Sequence, residues 1–115
     1  MIKNISKDTI LAKEAWEAKR IFSRMRGMLA RNFTEFDAII FDNNSSIHML
    51  FMHMPLDIIF LDKDDQVLAL KVALKPWRMA SKSGSKKVVE LPAGTITSSK
   101  TDIGDRLEIA VDKTI

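Results

Sequence analysis

One aspartate of this chain lies inside an apolar run, where its carboxylate would lose hydration. Asp57 stands between Leu56 and the run Ile58-Ile59-Phe60-Leu61. Burying an ionised carboxylate is costly unless hydrogen-bond donors or a cation replace the lost water. Arg24 and Arg31 of the preceding basic segment are candidate partners. We therefore predict a polar site at Asp57, which either ties the fold together as a buried ion pair or forms a pocket for a small ligand or a protein partner.

Three further residues are candidates for the same pocket. They are Glu90, His48 and Met52. Asp57 and Glu90 also suggest an alternative function, a small enzyme with two acid–base carboxylates, which requires a separation of roughly 5 to 10 Å and a cleft for substrate. Two acids in different predicted strands are more often independent structural groups, so the sequence favours a non-catalytic binding domain.

The histidines and methionines around residue 50 suggest a soft metal site, since imidazole and thioether groups suit Cu(I). The set is His48, Met49, Met52, His53 and Met54. In a strand, alternate residues point to opposite faces, so this set would be divided between two faces. Methionines in apolar runs mostly fill cores. We therefore predict neither a metal nor a cofactor.

A basic segment from Lys71 to Lys100 contains one acid, Glu90. Its candidate surface residues are Lys71, Lys75, Trp77, Arg78, Lys82, Lys86 and Lys87. Lysines beside an exposed aromatic residue suit an anionic partner, either single-stranded nucleic acid or an acidic protein. Lysine-rich strand edges that prevent aggregation are the simpler interpretation. Binding of nucleic acid through this segment stays open as a second alternative.

The secondary-structure pattern predicts a mainly β protein. Apolar residues at helical spacing predict one short amphipathic helix between Ala18 and Arg31, with Gly27 inside it. Strands are predicted at 37–42, 47–52, 56–61, 66–74, 87–91 and 106–111, and an exposed loop at 75–87. We expect one β-rich domain over residues 1–115, a small antiparallel sandwich or flattened barrel with the helix near the N-terminal third.

Composition sets the broad class. The chain has 115 residues, of which 46% are hydrophobic and 29% charged, with a net charge of +3. These values are typical of an ordinary globular protein. There is no cysteine, which excludes disulfides and thiolate chemistry and suits a reducing cytoplasm. The sequence predicts no membrane span and a cytoplasmic location, and it leaves monomer and dimer open.

Four motifs occur in order along the chain. They are Arg24-x-x-Gly27-Met28-Leu29-x-Arg31, Phe51-Met52 before Pro55-Leu56-Asp57-Ile58-Ile59-Phe60-Leu61-Asp62, Val89-Glu90-Leu91-x-Ala93-Gly94, and Gly104-Asp105. Together they resemble an uncharacterised prokaryotic family, domain of unknown function 192. The resemblance implies a mainly β, sandwich-like domain with no established activity.

The same resemblance selects a set of motif residues in this chain. They are Gly27, Met52, Pro55, Asp57, Glu90, Gly94 and Gly104. The chain departs from the family pattern in having Phe51 where members often have tryptophan, and a short spacer, His53-Met54, before the proline. Many relatives also look secreted, and this sequence does not.

Overall fold

The computed structural model describes residues 1–19, 35–49 and 53–115. Eleven strands and one helix occur in this part of the chain. They are β1 (Ile2–Asn4), β2 (Thr9–Ala12), β3 (Ala15–Ala18), β4 (Ala38–Asp42), β5 (Ser46–His48), β6 (Leu56–Leu61), β7 (Val67–Leu74), β8 (Met79–Ser81), β9 (Lys87–Pro92), α1 (Thr95–Ser98), β10 (Leu107–Ile109) and β11 (Lys113–Thr114). The mainly β prediction is confirmed.

A six-stranded sheet in the order β11-β3-β4-β9-β6-β7 forms the centre of the fold. All six residues of β6 are buried, as expected for a continuous apolar run that is covered on both faces. Alternate residues of β6 enter two separate core clusters: Ile58 and Phe60 lie in one, Ile59 and Leu61 in the other. The sheet therefore has a packed core on each face.

Two smaller sheets contribute to these cores. The three-stranded sheet β10-β1-β2 supplies Ile2 and Leu107 to the cluster that contains Ile59. The two-stranded sheet β5-β8 supplies Ile47 and Ala80 to the opposite cluster. The described strands thus form packed, open sheets rather than a closed barrel.

The central sheet is mixed, whereas the sequence predicted an antiparallel one. β3 runs parallel to β4, and β11 runs parallel to β3. The segment 19–37, between β3 and β4, exceeds the dozen residues that a parallel crossover needs. The predicted helix at 18–31 and its Gly27 fall largely in this segment, and all but Ala18 and Lys19 lie outside the described residues.

The region predicted as an exposed loop, 75–87, contains strand β8. It pairs with β5 in the register Ser46↔Ser81 and Ile47↔Ala80. A three-residue strand has no periodicity to recognise, and cross-strand pairing is what stabilises it. No helix of the described residues is long and apolar enough to cross a bilayer.

Candidate functional site

Asp57 is completely buried, and backbone amides surround its carboxylate. Its Oδ1 accepts a hydrogen bond from the Ala73 N–H at 2.8 Å. Its Oδ2 accepts from the Gly94 N–H at 3.1 Å and from the Ile96 N–H at 2.8 Å. Hydrogen bonds to an ionised acceptor are stronger than neutral ones, and they replace the water lost on burial.

These three bonds join parts of the chain that are far apart in sequence. Ala73 lies near the end of β7, with a positive φ of 50°, next to an irregularity in its pairing with β6. Gly94 has a φ of 101° and directly precedes α1, and Ile96 lies inside that helix. Asp57 thus ties β6 to a strained end of β7 and to the first turn of α1.

Glu90 is also completely buried, but on the other face of the central sheet. In the pairing of β6 with β9, Asp57 lies opposite Leu91 and Ile58 lies opposite Glu90. Directly opposed residues point to the same face, and successive residues point to opposite faces. The structure therefore does not bring Asp57 and Glu90 together as a pair.

Three other residues predicted for the pocket, Arg24, Arg31 and Met52, lie outside the described ranges. His48 ends β5, where its backbone pairs with Met79 of β8. Within residues 1–19, 35–49 and 53–115, no three His, Cys, Asp or Glu side chains are grouped to hold a metal.

The motif residues Pro55 and Gly104 have structural positions. Pro55 is exposed and directly precedes β6. Gly104 has a φ of 93°, which favours glycine, and its N–H donates to the Val67 carbonyl at 2.8 Å. The Val67 N–H donates in turn to the Asp105 carbonyl, so this turn holds the start of β7.

The basic segment contributes six cationic residues that form no ion pair within the described part of the chain. They are Lys71, Lys75, Arg78, Lys82, Lys86 and Lys100. Lys87 differs, since its ammonium lies 2.9 Å from the Asp65 carboxylate. From Lys71 to Lys87 the sequence has no acid, so these positive charges are not compensated locally.

Lys71 also lines an open groove of about 420 Å³ between β7 and the two-stranded sheet. The groove is lined by Ser46, Lys71, Met79, Ala80 and Ser81. We call this set the basic groove. It offers an ammonium group, two hydroxyls and a thioether side chain on a residue that is 74% exposed. Lys71 was predicted from the sequence as a surface residue, whereas the other four residues of the groove were not. They come from separate strands, and only the fold brings them together.

A buried polar network links the N-terminal hairpin to the segment 99–105. The Asn4 side chain donates to Thr101 Oγ1 at 3.1 Å and to an Asp105 carboxylate oxygen at 2.9 Å. The Lys7 ammonium contacts the same carboxylate at 2.8 Å and the carboxylate of Asp102 at 3.0 Å. This network was not predicted from the sequence, where its one visible signal is Asn4, in a strand that begins with the apolar Ile2.

The network sets the ionisation of its members. Burial by itself would raise the pKa of Asp105, but hydrogen bonds from Asn4, Lys7 and the Asp102 amide outweigh it and hold that pKa below its usual value. The hydrogen bonds to Asp105 and Asp102 raise the pKa of Lys7. These ion pairs and buried hydrogen bonds hold the segment 99–105 against the N-terminal hairpin. Lys7 is thus paired with two acids, whereas Lys71 pairs with none of the described acids.

The fold and these sites define a mixed-sheet β protein with buried hydrogen-bonded polar groups and an exposed groove that contains a lysine. The chain belongs to the domain of unknown function 192 family, described as "Uncharacterized ACR", whose sequence model matches residues 2–109. The resemblance drawn from the motifs is thereby confirmed. The family description assigns no activity.

Individual proteins similar to this chain include two curated relatives and a solved structure. A UPF0127 protein of Thermococcus sibiricus is 35% identical over 98% of this chain and 77% of its own length. A UPF0127 protein of Pyrococcus furiosus is 46% identical, and the alignment covers 56% of each chain. A crystal structure of a Novosphingobium aromaticivorans protein of unknown function is similar, with a TM-score of 0.57 and 25% identity. That match covers 63% of this chain and 56% of the other. The chain therefore spans little more than half the length of the last two proteins.

Proposed function

We propose that this protein is a non-catalytic binding domain and that its ligand occupies the basic groove. The ligand presents an anionic group to the Lys71 ammonium and the hydroxyls of Ser46 and Ser81, and places an adjoining apolar part against Met79. The observation that carries the proposal is the position of Lys71. It has no acidic partner among the described residues and it lines an open groove.

The buried acids support binding rather than catalysis. An acid–base residue must reach the proton it transfers, directly or through one water. Asp57 and Glu90 are fully buried and point to opposite faces of the sheet. The Asp57 carboxylate is also occupied by three amides, so we move the proposed binding site from Asp57 to the groove.

We further propose that residues 1–115 act as one domain in the cytoplasm. Support for one domain comes from the pairing of β1 with β10 and of β3 with β11, which joins the two ends of the chain. Support for the location comes from the absence of cysteine, which suits a reducing compartment.

Amide chemical shifts test the groove with defined probes. We expect hexanoate to shift the amides of Ser46, Lys71 and Ser81 in a saturable way, and acetate or inorganic phosphate to bind more weakly, since neither offers an apolar part to Met79. Lys71→Gln should abolish the response. Lys63→Gln removes an exposed lysine of the turn after β6 and should leave the response unchanged.

Two outcomes would overturn the proposal. One is an unchanged hexanoate response in Lys71→Gln. The other is a set of shifts of equal size spread over all surface lysines, which would show that the anion attraction is nonspecific.

A further inference from the structure

Trp77 occupies a backbone position at which glycine is normally found. The Arg78 N–H donates to the Lys75 carbonyl at 3.2 Å, which closes a four-residue turn with Pro76 and Trp77 at its centre. Pro76 fixes a negative φ at the first central residue, and Trp77 has a φ of 69°. This is the pattern of a type II turn, whose second central position favours glycine because a side chain is strained there.

The core holds this strained turn in place. The Trp77 N–H donates to the Met49 carbonyl at 2.8 Å, and the Met49 N–H donates to the Arg78 carbonyl at 2.7 Å. Met49 is completely buried, whereas Trp77 is 60% exposed. A large, exposed aromatic side chain thus stands on a strained turn whose backbone is hydrogen-bonded to a buried residue. Backbone strain of this kind persists only where the surrounding structure enforces it, and it clusters at active sites, ligand clamps and switch regions.

We propose that Trp77 is the anchor residue for a protein partner, which binds through an extended segment of alternating acidic and apolar residues. The proposal rests on the binding function proposed above and names the class of ligand. Lys75 and Arg78 flank Trp77, and Met79 follows at 74% exposure. Tryptophan, arginine and methionine are enriched in protein interfaces, and tryptophan and arginine dominate their binding energy.

The surroundings favour a protein over single-stranded nucleic acid. Nucleic acid without a sequence preference is bound by several aromatic residues on which successive bases stack. Among the strongly exposed large apolar residues of the described chain, Trp77 is the sole aromatic one, and Val72 and Met79 are aliphatic or thioether residues. Such side chains suit the apolar residues of a peptide. Lys75 and Arg78, which pair with no acid among the described residues, suit its carboxylates.

The test selects binders from a library of hexapeptides in which Asp or Glu alternates with Leu, Val or Phe. The strongest binder is resynthesised with a fluorescent label, and its affinity is measured by polarisation. We expect Trp77→Gly to weaken binding at least tenfold while thermal stability stays equal or rises, since glycine relieves the strained φ. Trp77→Asn, which tolerates the same backbone, should behave alike. Ile103→Ala, at another exposed apolar turn residue, should bind normally.

Three results would overturn the proposal. They are a library that yields no binder, a binder that Trp77→Gly retains, and a twelve-residue oligothymidylate or phosphatidylserine vesicles that bind more tightly than the peptide. If Trp77→Gly retains binding while Lys71→Gln loses hexanoate, the groove function stands and the Trp77 inference fails. If Lys71→Gln retains hexanoate binding but Trp77→Gly loses peptide binding, the groove assignment fails, while peptide binding at Trp77 stands.

Discussion

Replacing Asp57 by asparagine isolates the contribution of one negative charge to the fold. The asparagine side chain has nearly the same shape, but one of its two acceptor atoms becomes an NH₂ donor. The arrangement that keeps most bonds places the amide oxygen at the Oδ2 position, facing the Gly94 and Ile96 N–H groups. The new NH₂ then faces the Ala73 N–H, and that bond is lost.

The expected cost follows from the three bonds. Hydrogen bonds to charged groups contribute roughly 1.5–3 kcal/mol, and neutral ones about 1 kcal/mol. One charge-assisted hydrogen bond disappears and two become neutral. Because Ala73 is exposed, water offsets part of the bond lost there. We expect the free energy of unfolding to fall by about 2–4 kcal/mol. A typical domain is stable by roughly 5–15 kcal/mol. The loss is a large share of this stability but smaller than the total, so the variant should still fold.

Urea denaturation of Asp57→Asn measures this loss, and native-state hydrogen exchange locates it. Exchange at Ala73 should accelerate more than exchange at Gly94 and Ile96, because only the Ala73 bond is lost. Asp64→Asn, at an exposed position of the Asp62–Asp65 turn, is the matched control and should change stability by less than about 0.5 kcal/mol. An Asp57→Asn loss no larger than that of the control would refute the three-bond reasoning.

Three further predictions follow from the same geometry. Because the folded pKa of Asp105 is lowered, its stabilisation is fully present above the unfolded pKa of about 3.9 and is lost as pH falls through the folded value. Stability measured between pH 6 and pH 2 should therefore fall less steeply in Asp105→Asn than in the wild type, and equal slopes would contradict this. Ala73→Gly should raise the free energy of unfolding by about 0.5 kcal/mol, because relief of the left-handed φ of 50° outweighs the extra entropy of unfolded glycine; a lower melting temperature would count against it. Gly94→Ala should cost about 1–2 kcal/mol through strain at φ 101°, since the added Cβ meets nothing within 4 Å. It should cost more than Gly104→Ala, which has similar strain and equally open space, because the Gly94 N–H donates to a buried carboxylate and the Gly104 N–H to a neutral carbonyl. Equal melting temperatures would show that the bond to Asp57 adds nothing.

The sequence predicted the strands that form the middle of the central sheet. The segment 56–61 has its predicted bounds, and 66–74 differs by one residue, because apolar and β-branched runs between turn residues signal a buried strand directly. The short strands β1, β2, β3, β8 and β11 were missed. Each has two to four residues, and its stability comes from pairing with other strands rather than from its own pattern.

Burial of Asp57 was predicted correctly, but its hydrogen-bond donors were not. An acid inside an apolar run is visible in the sequence, so its desolvation could be inferred. The donors are backbone amides of Ala73, Gly94 and Ile96, and every residue except proline has such an amide. Residue type therefore carries no signal for them, and only the tertiary fold brings them to the carboxylate. For the same reason the cationic partners that side-chain chemistry suggested were the natural prediction.

The buried acid contacts the same stretch of chain that carries the proposed binding residues, β7 and the turn after it. Asp57 holds the Ala73 amide, Lys71 lines the groove two residues earlier, and Trp77 follows four residues later. Loosening the end of β7 should therefore move both proposed contact residues, so Asp57→Asn should weaken hexanoate and peptide binding together. A change at Lys71 is not expected to affect stability, because the exposed Lys71 makes no ion pair with another described residue. Lys71→Gln should therefore leave the unfolding free energy within about 0.5 kcal/mol of the wild type. Measuring the unfolding free energy and the hexanoate affinity of both variants tests this asymmetry. If Lys71→Gln is as stable as the wild type and Asp57→Asn binds hexanoate normally, β7 does not connect the two sites.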